Sequence, residues 1–179
     1  VCFEEQPLGA IATNGVIRIP ESIGYRLHIS VWGNDLLSGQ TRHCDNLLER
    51  QLKAYKGDPR AVFVYTFTRD NIASAGEVVE MLVQADAKVT FNMFSATTGY
   101  DGELRHTSAS LLETREVMLE MIERYPDNVL FSPYSAMAHT HRLGLHDVFD
   151  CSYPRCNESE FLGLGRSFRQ YRTDLTWDR

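Results

Sequence analysis

The side chains that could hold a metal ion gather near residue 140. His139 and His141 lie two positions apart, and Cys151 and Cys156 follow them along the chain. Imidazole nitrogens and thiolates together can complete a tetrahedral zinc site. The spacing of the two cysteines differs from that of a CxxC zinc motif. A metal site at these four residues is therefore one hypothesis. A loop with surface histidines and reduced thiols is the other, and the spacing favours it.

Small polar residues follow two short apolar runs nearer the amino terminus. Residues 13–15, Thr-Asn-Gly, come after residues 11–12, and Ser30 lies near the end of residues 27–31. Parallel α/β folds place their ligand sites at the carboxyl ends of strands. The pattern therefore predicts a ligand site here. The alternatives are that Thr13 and Asn14 only form a turn and that Ser30 is a satisfied sheet hydroxyl.

The elements that would position these residues alternate between strand and helix. β-Branched and aromatic runs predict strands, and apolar residues at helical spacing predict helices. Strand, helix, strand in this order indicates right-handed βαβ units and a parallel sheet. The predicted strands cover residues 11–12, 27–31, 61–68, 88–94 and 129–131, and the predicted helices cover residues 45–56, 73–85 and 108–125.

Helix boundaries and strand ends add further candidates. Ser110 with Glu113 predicts a capping box, and Asn71 is a candidate helix cap. The strand ends and the following polar loop carry side chains that suit a substrate, and an arginine there could bind a carboxylate or phosphate in two-pronged fashion. These substrate candidates are Tyr65, Arg69, Tyr100, Arg105 and His106.

Composition excludes several classes of function. A chain of 179 residues suits one domain, and its net charge of −6 argues against a nucleic-acid footprint. Its apolar runs fall short of the ~20 residues that a membrane-spanning helix requires. The four cysteines are too scattered for a disulfide framework, which favours a cytoplasmic location. Because the chain begins with Val1 rather than methionine, we expect a piece of a longer or processed protein.

Taken in order, the segments ATNG, LHISVWG, VFVYTFTRDN and VTFNMFS resemble the later strands of the radical SAM superfamily. The resemblance covers about residues 11–95. It implies a partial (β/α) TIM-like barrel with parallel strands, truncated at the N-terminus. Residues 1–135 would be the later βα units and residues 136–179 a carboxyl-terminal extension. The family's CxxxCxxC motif is absent from the sequence, so the ligands of its [4Fe-4S] cluster would lie outside this chain.

The resemblance also implies roles for single residues. Thr13 matches the threonine of the family's TNG, and Ser30 matches the serine of its ISL or VSL strand. These two, with Asn14, Asn71 and Asn92, would bind S-adenosyl-L-methionine (AdoMet). Substrate contacts would come from Tyr65 and Arg69.

The implied reaction is reductive cleavage of AdoMet to a 5′-deoxyadenosyl radical. That radical abstracts hydrogen from a small-molecule or peptide substrate, and no nucleic acid or membrane takes part. Two alternatives remain open. One is a metal-dependent α/β-barrel hydrolase piece that uses His139 and His141, and the other is a non-catalytic α/β binding domain.

Overall fold

A computed structural model describes residues 9–94 and 102–140. These residues form one sheet of four parallel strands in the order β1-β2-β3-β4. Val89 also forms an isolated parallel bridge with Val129 at the free side of β4. The α/β class with parallel strands is thereby confirmed, and the sheet of the described residues is not closed into a full barrel. The strands are β1 Ala10–Thr13, β2 Arg26–Val31, β3 Ala61–Phe67 and β4 Lys88–Met93.

Helices follow three of the strands. A sheet whose strands stand in sequence order, joined by right-handed crossovers, receives its helices on one face. A 3-10 turn, Ile72–Ser74, follows β3 directly. The helices are α1 Asp35–Arg42, α2 Leu47–Tyr55, α3 Ala75–Gln84, α4 Ser108–Arg124 and α5 Pro133–Thr140.

The two faces of the sheet differ in chemistry because side chains alternate along each strand. Residues in register on one face are apolar and join the buried core with side chains of α2, α3 and α4. We call this the helix-covered face, and its members include Ile29, Phe63, Tyr65, Phe67 and Phe91. The other face, here called the polar face, contributes no side chain to that core cluster, and it carries His28, Ser30, Val64, Thr66, Thr90 and Asn92.

Beside β1, the connection between β1 and β2 closes the helix-covered face. Ile19 in this connection packs against the core, and its N–H donates to the Tyr55 hydroxyl over 3.2 Å. Arg60 donates to the carbonyl of Pro20 over 2.8 Å and also to the carbonyl of Ile23. Its guanidinium is paired with Asp58 at 2.6 Å. A charged, largely buried pair therefore fastens this connection to the start of β3.

Several predicted boundaries need correction. Helix α1 was not predicted, and the predicted strand at residues 129–131 is reduced to the single bridge at Val129. The capping box of α4 joins Thr107 and Ser110 rather than Ser110 and Glu113, because the cap lies one residue before the helix begins. Helix α5 was also missed. Its first residue is Pro133, where proline costs no hydrogen bond.

Two remaining expectations concern the ends of the chain and membranes. The division between residues 135 and 136 stays a prediction, since residues 141–179 lie outside the described ones. Among the residues that the structure describes, no helix is both long and apolar enough to cross a membrane.

Candidate functional site

The turn after β1 is built by its own side chains. The Thr13 hydroxyl accepts the Gly15 N–H over 3.1 Å, and the Asn14 side chain accepts the Val16 N–H over 3.2 Å. Gly15 has a φ of 69°, a conformation that glycine adopts at little cost. Thr13 is partly buried and Asn14 is exposed. The turn-forming role is therefore present, while cofactor binding by either side chain stays a prediction.

Gln51, on α2, joins the carboxyl ends of β1 and β2. Its side-chain amide donates to the carbonyl of Asn14 over 2.7 Å and to the carbonyl of Ser30 over 3.1 Å. The residue is only 1% exposed. A Cβ at position 15 would lie 2.9 Å from Gln51 Cγ, so Gly15 also makes room for this contact. No local sequence pattern points to Gln51, because its partners are distant along the chain.

Ser30 lies near the carboxyl end of β2 on the polar face. Its Oγ accepts a hydrogen bond from the indole Nε1 of Trp32 over 3.2 Å. The Trp32 ring meets the ring of Phe94 edge-on, with 6.0 Å between the ring centroids. Since Phe94 follows β4, the two rings link the ends of β2 and β4, on either side of β3. The sequence prediction included Ser30 but missed Trp32.

Asn71 shapes the loop that follows β3. Its Oδ1 accepts the Thr68 N–H over 2.9 Å, and its Nδ2 donates to the Thr66 carbonyl over 2.9 Å. The residue is 3% exposed, and its side chain makes no capping hydrogen bond to the 3-10 turn. Asn71 does occupy the cap position of the 3-10 turn, but its side-chain amide folds back onto the strand end instead of capping the turn. Its cofactor role stays a prediction.

Tyr65 supports the same loop from the helix-covered face. Its hydroxyl donates to the Asn71 carbonyl over 2.7 Å and lies 3.0 Å from the Ser74 hydroxyl. Burial raises the pKa of Tyr65 well above its usual range, so the phenol stays protonated and can donate. The side chain is fully buried. Its predicted substrate contact stays a prediction.

One backbone carbonyl at the end of β3, that of Phe67, is contacted both by the residue that follows β4 and by a residue before α4. The oxygen of Phe67 accepts the Phe94 N–H over 2.8 Å and lies 3.0 Å from His106 Nε2. His106 is 4% exposed, and its Nδ1 lies 3.3 Å from the Ser110 hydroxyl. Although His106 was a candidate for substrate contact, its ring is engaged in joining this strand end to α4.

Two of the predicted site residues, Arg69 and Asn92, are exposed near the carboxyl ends of β3 and β4. Asn92, on the polar face of β4, uses its Oδ1 to accept the N–H of Met93 over 2.9 Å. Arg69 has its Nε 3.6 Å from Asp70 Oδ1, and its backbone N–H donates to Leu104. Their cofactor and substrate roles stay predictions. Tyr100 lies outside the described residues.

The predicted metal ligands are described only in part. His139 lies on α5, is exposed, and has its Nδ1 2.7 Å from the Ser135 carbonyl. Its ring centroid is 5.4 Å from that of Phe131. Within residues 9–94 and 102–140, no three side chains of metal-binding type come together. The other three candidates, His141, Cys151 and Cys156, lie outside the described residues.

Comparison with known proteins bears on the fold. No family model matches the chain, and no curated protein matches it. Among solved structures, a histidine-tagged "anSMEcpe with bound AdoMet" is similar, with a TM-score of 0.50 and 14% sequence identity. The match covers 67% of this chain and 38% of that one, so this chain spans well under half of that protein. At such an identity, the likeness is one of fold.

Proposed function

We propose that this chain is an AdoMet-binding domain of the radical SAM type, with AdoMet lying against the polar face at the carboxyl ends of the strands. The observation that carries the proposal is the chemistry of that face. The same strands that bury an apolar core on one side present hydroxyl and amide side chains on the other. Similarity to the fold of a protein with bound AdoMet supports this choice of ligand.

The residues present fit AdoMet in their chemistry. AdoMet offers a carboxylate, an amino group, ribose hydroxyls and an adenine ring. Neutral hydroxyl and amide groups can donate to or accept from each of these polar groups. Ser30 and Asn92 on the polar face would hold AdoMet. Thr13, which is in register with Ile29 of the helix-covered face, would contribute with Asn14 only through the neighbouring turn. Asn71 would contribute by fixing the loop after β3.

The residues present do not fit an iron–sulfur cluster. Such clusters are held by several cysteine thiolates, and within the described residues Cys44 is the one free cysteine. We therefore propose that the [4Fe-4S] ligands lie outside the described residues, and no step here depends on them. When bound, AdoMet would supply the chemistry of hydrogen abstraction once one electron from such a cluster breaks its C5′–S bond to give methionine and the 5′-deoxyadenosyl radical.

Among the described residues, Arg69 is a group suited to a substrate. Arg69 is exposed after β3, and its guanidinium could take up a carboxylate of a small molecule or peptide. We expect neither a nucleic acid nor a membrane as partner. A cytoplasmic location likewise stays a prediction from the scattered cysteines.

The test is calorimetric titration of the whole chain with S-adenosylhomocysteine, which keeps the adenosyl and amino-acid parts of AdoMet. We expect saturable binding, weakened about tenfold by Ser30→Ala, the loss expected for one hydrogen bond. Ser22→Ala is the matched control and should bind like the parent, because Ser22 is an exposed serine before the opposite, amino-terminal end of β2. Absence of binding by the parent chain at millimolar ligand would contradict the proposal.

A further inference from the structure

The indole of Trp32, in the segment after β2, is a polar group that contacts the Ser30 hydroxyl. We propose that Trp32 is a positioning residue, whose indole N–H fixes the Ser30 hydroxyl in the orientation that binds AdoMet. This inference rests on the proposed function. It concerns the residues of this chain, and it assigns to Trp32 a role that the sequence prediction did not contain.

The hydrogen-bonding roles of the two groups decide how Trp32 acts. An indole N–H can only donate, whereas a serine hydroxyl has one proton and two acceptor lone pairs. At the 3.2 Å contact, Ser30 Oγ must therefore be the acceptor. The hydroxyl proton then points away from the indole. Trp32 thus occupies one lone pair of Ser30 Oγ and keeps the hydroxyl proton off that side, which limits the orientations in which Ser30 can meet the ligand.

The ring of Trp32 is itself held in place. Its edge-on contact with Phe94, at 6.0 Å between centroids, is a favoured arrangement for aromatic pairs. The backbone N–H of Phe94 is anchored on the carbonyl of Phe67, at the end of β3. Thr66, on the polar face of the strand between the two rings, is only 8% exposed. The indole therefore spans the end of β3 at a fixed position beside Ser30.

The turn after Trp32 is fixed as well. Gly33 has a φ of 121°, and a Cβ there would lie 2.8 Å from Leu37 Cδ1. Asn34 caps α1 by accepting the Leu37 N–H over 3.2 Å, and its Nδ2 donates to Glu77 on α3 over 3.2 Å. These contacts hold the backbone on the carboxyl side of Trp32, so its indole has a defined approach to Ser30.

The experiment isolates the indole of Trp32. The sequence has two tryptophans, so Trp177→Phe leaves Trp32 as the sole indole, and this variant serves as parent. Its indole N–H signal is followed by NMR while S-adenosylhomocysteine is added. Trp32→Phe, which keeps a ring but lacks the N–H, is titrated by calorimetry with the same ligand. Ser30→Ala and the double variant complete the cycle.

We expect the indole signal to move on ligand addition in the parent and not in Ser30→Ala. Trp32→Phe should weaken binding about fivefold, less than Ser30→Ala does, because the Ser30 hydroxyl is kept and only its orientation is lost. The double variant should bind no more weakly than Ser30→Ala alone, because both changes remove the same arrangement. Phe94→Leu, which keeps the indole N–H, should weaken binding less than Trp32→Phe does.

Each other result overturns the inference in a distinct way. Binding by Trp32→Phe within twofold of the parent removes the role of Trp32 and leaves the proposed function standing. Strictly additive losses would mean that Trp32 acts on the ligand without Ser30. If the parent binds no ligand, the inference and the proposed function both fail. Should Trp32→Phe not fold, the indole signal in the parent and in Ser30→Ala decides.

Discussion

The two faces of the one sheet differ although alternate residues of the same strands form them. On the helix-covered face, Phe63, Tyr65 and Phe67 of β3 are at most 1% exposed and join the core. On the polar face, Ser30 is half-buried and Asn92 is exposed. The difference indicates that one face stabilises the fold and the other is available for ligand binding. Changes on the first face should alter the free energy of unfolding, and changes on the second should alter ligand affinity.

The largest effect is expected where the helix-covered face is most enclosed. Phe67→Ala would empty the space of a fully buried ring that meets both Tyr65 and Phe91 edge-on. A cavity of this kind costs about 3–5 kcal/mol of unfolding free energy. Urea denaturation followed by circular dichroism measures the loss. His28→Ala, exposed on the polar face, should change it by less than about 0.5 kcal/mol. Equal losses in the two variants would contradict this division between the two faces.

This division explains how much of the fold could be predicted from sequence. The apolar run of β3 and the periodicity of α4 follow from burial, which a local pattern records. Helix α1 contains Gly39 and many polar residues, so its pattern is weak. Its capping by Asn34 becomes clear only in the structure. Contacts between distant residues leave no local pattern at all.

The candidate site was predictable only in part for the same reason. Ser30 and Asn92 stand near strand ends, a position that sequence order indicates. Gln51 is 21 positions from Ser30, and only the packing of α2 on the sheet brings its amide to that carbonyl. Trp32 is two positions from Ser30, so alternation along the extended chain places both side chains on one face, but the sequence does not show that the indole N–H donates to the hydroxyl.

The second-largest loss of unfolding free energy is expected at the connection between β1 and β2, which packs on the helix-covered face beside β1. Asp58→Asn would weaken the pair with Arg60, whose guanidinium also holds the carbonyls of Pro20 and Ile23. Since the Asp58 side chain is 3% exposed, we expect a loss of about 2–3 kcal/mol in unfolding free energy at pH 6. Urea denaturation of both proteins between pH 6 and pH 2.5 measures it.

The pH dependence has a definite sign. Hydrogen bonds from the Arg60 side chain hold the pKa of Asp58 below its usual value, despite the opposing effect of burial. The stabilisation is therefore complete above the unfolded pKa of about 4 and is lost as the pH falls through the lower, folded pKa. The gap between parent and Asp58→Asn should shrink over that range. A gap that stays constant down to pH 2.5 would show that the pair does not stabilise the fold through charge.

A smaller effect is expected for Gln51, which ties the helix-covered side to the strand ends of the candidate site. Gln51→Leu keeps the bulk but removes both donors, which leaves the carbonyls of Asn14 and Ser30 without this partner. We expect a loss of about 1–2 kcal/mol in unfolding free energy. Gln84→Leu, an exposed glutamine at the end of α3, is the matched control, with a change of less than about 0.5 kcal/mol. A loss no larger than that of the control would remove Gln51 as a link between the strand ends.

The smallest effect on stability, and the sharpest test of the division, is expected for Asn92 on the polar face. Its exposed side chain accepts only the N–H of the next residue within the described structure, so Asn92→Ala should change the free energy of unfolding by less than about 0.5 kcal/mol. If AdoMet lies against this face, the same variant should bind S-adenosylhomocysteine about fivefold more weakly, because one polar contact is lost. Calorimetry and urea denaturation on the same sample separate the two quantities. A variant with unchanged affinity would exclude Asn92 from the site, whereas a variant that loses stability and affinity together would mean that the polar face also holds the fold together.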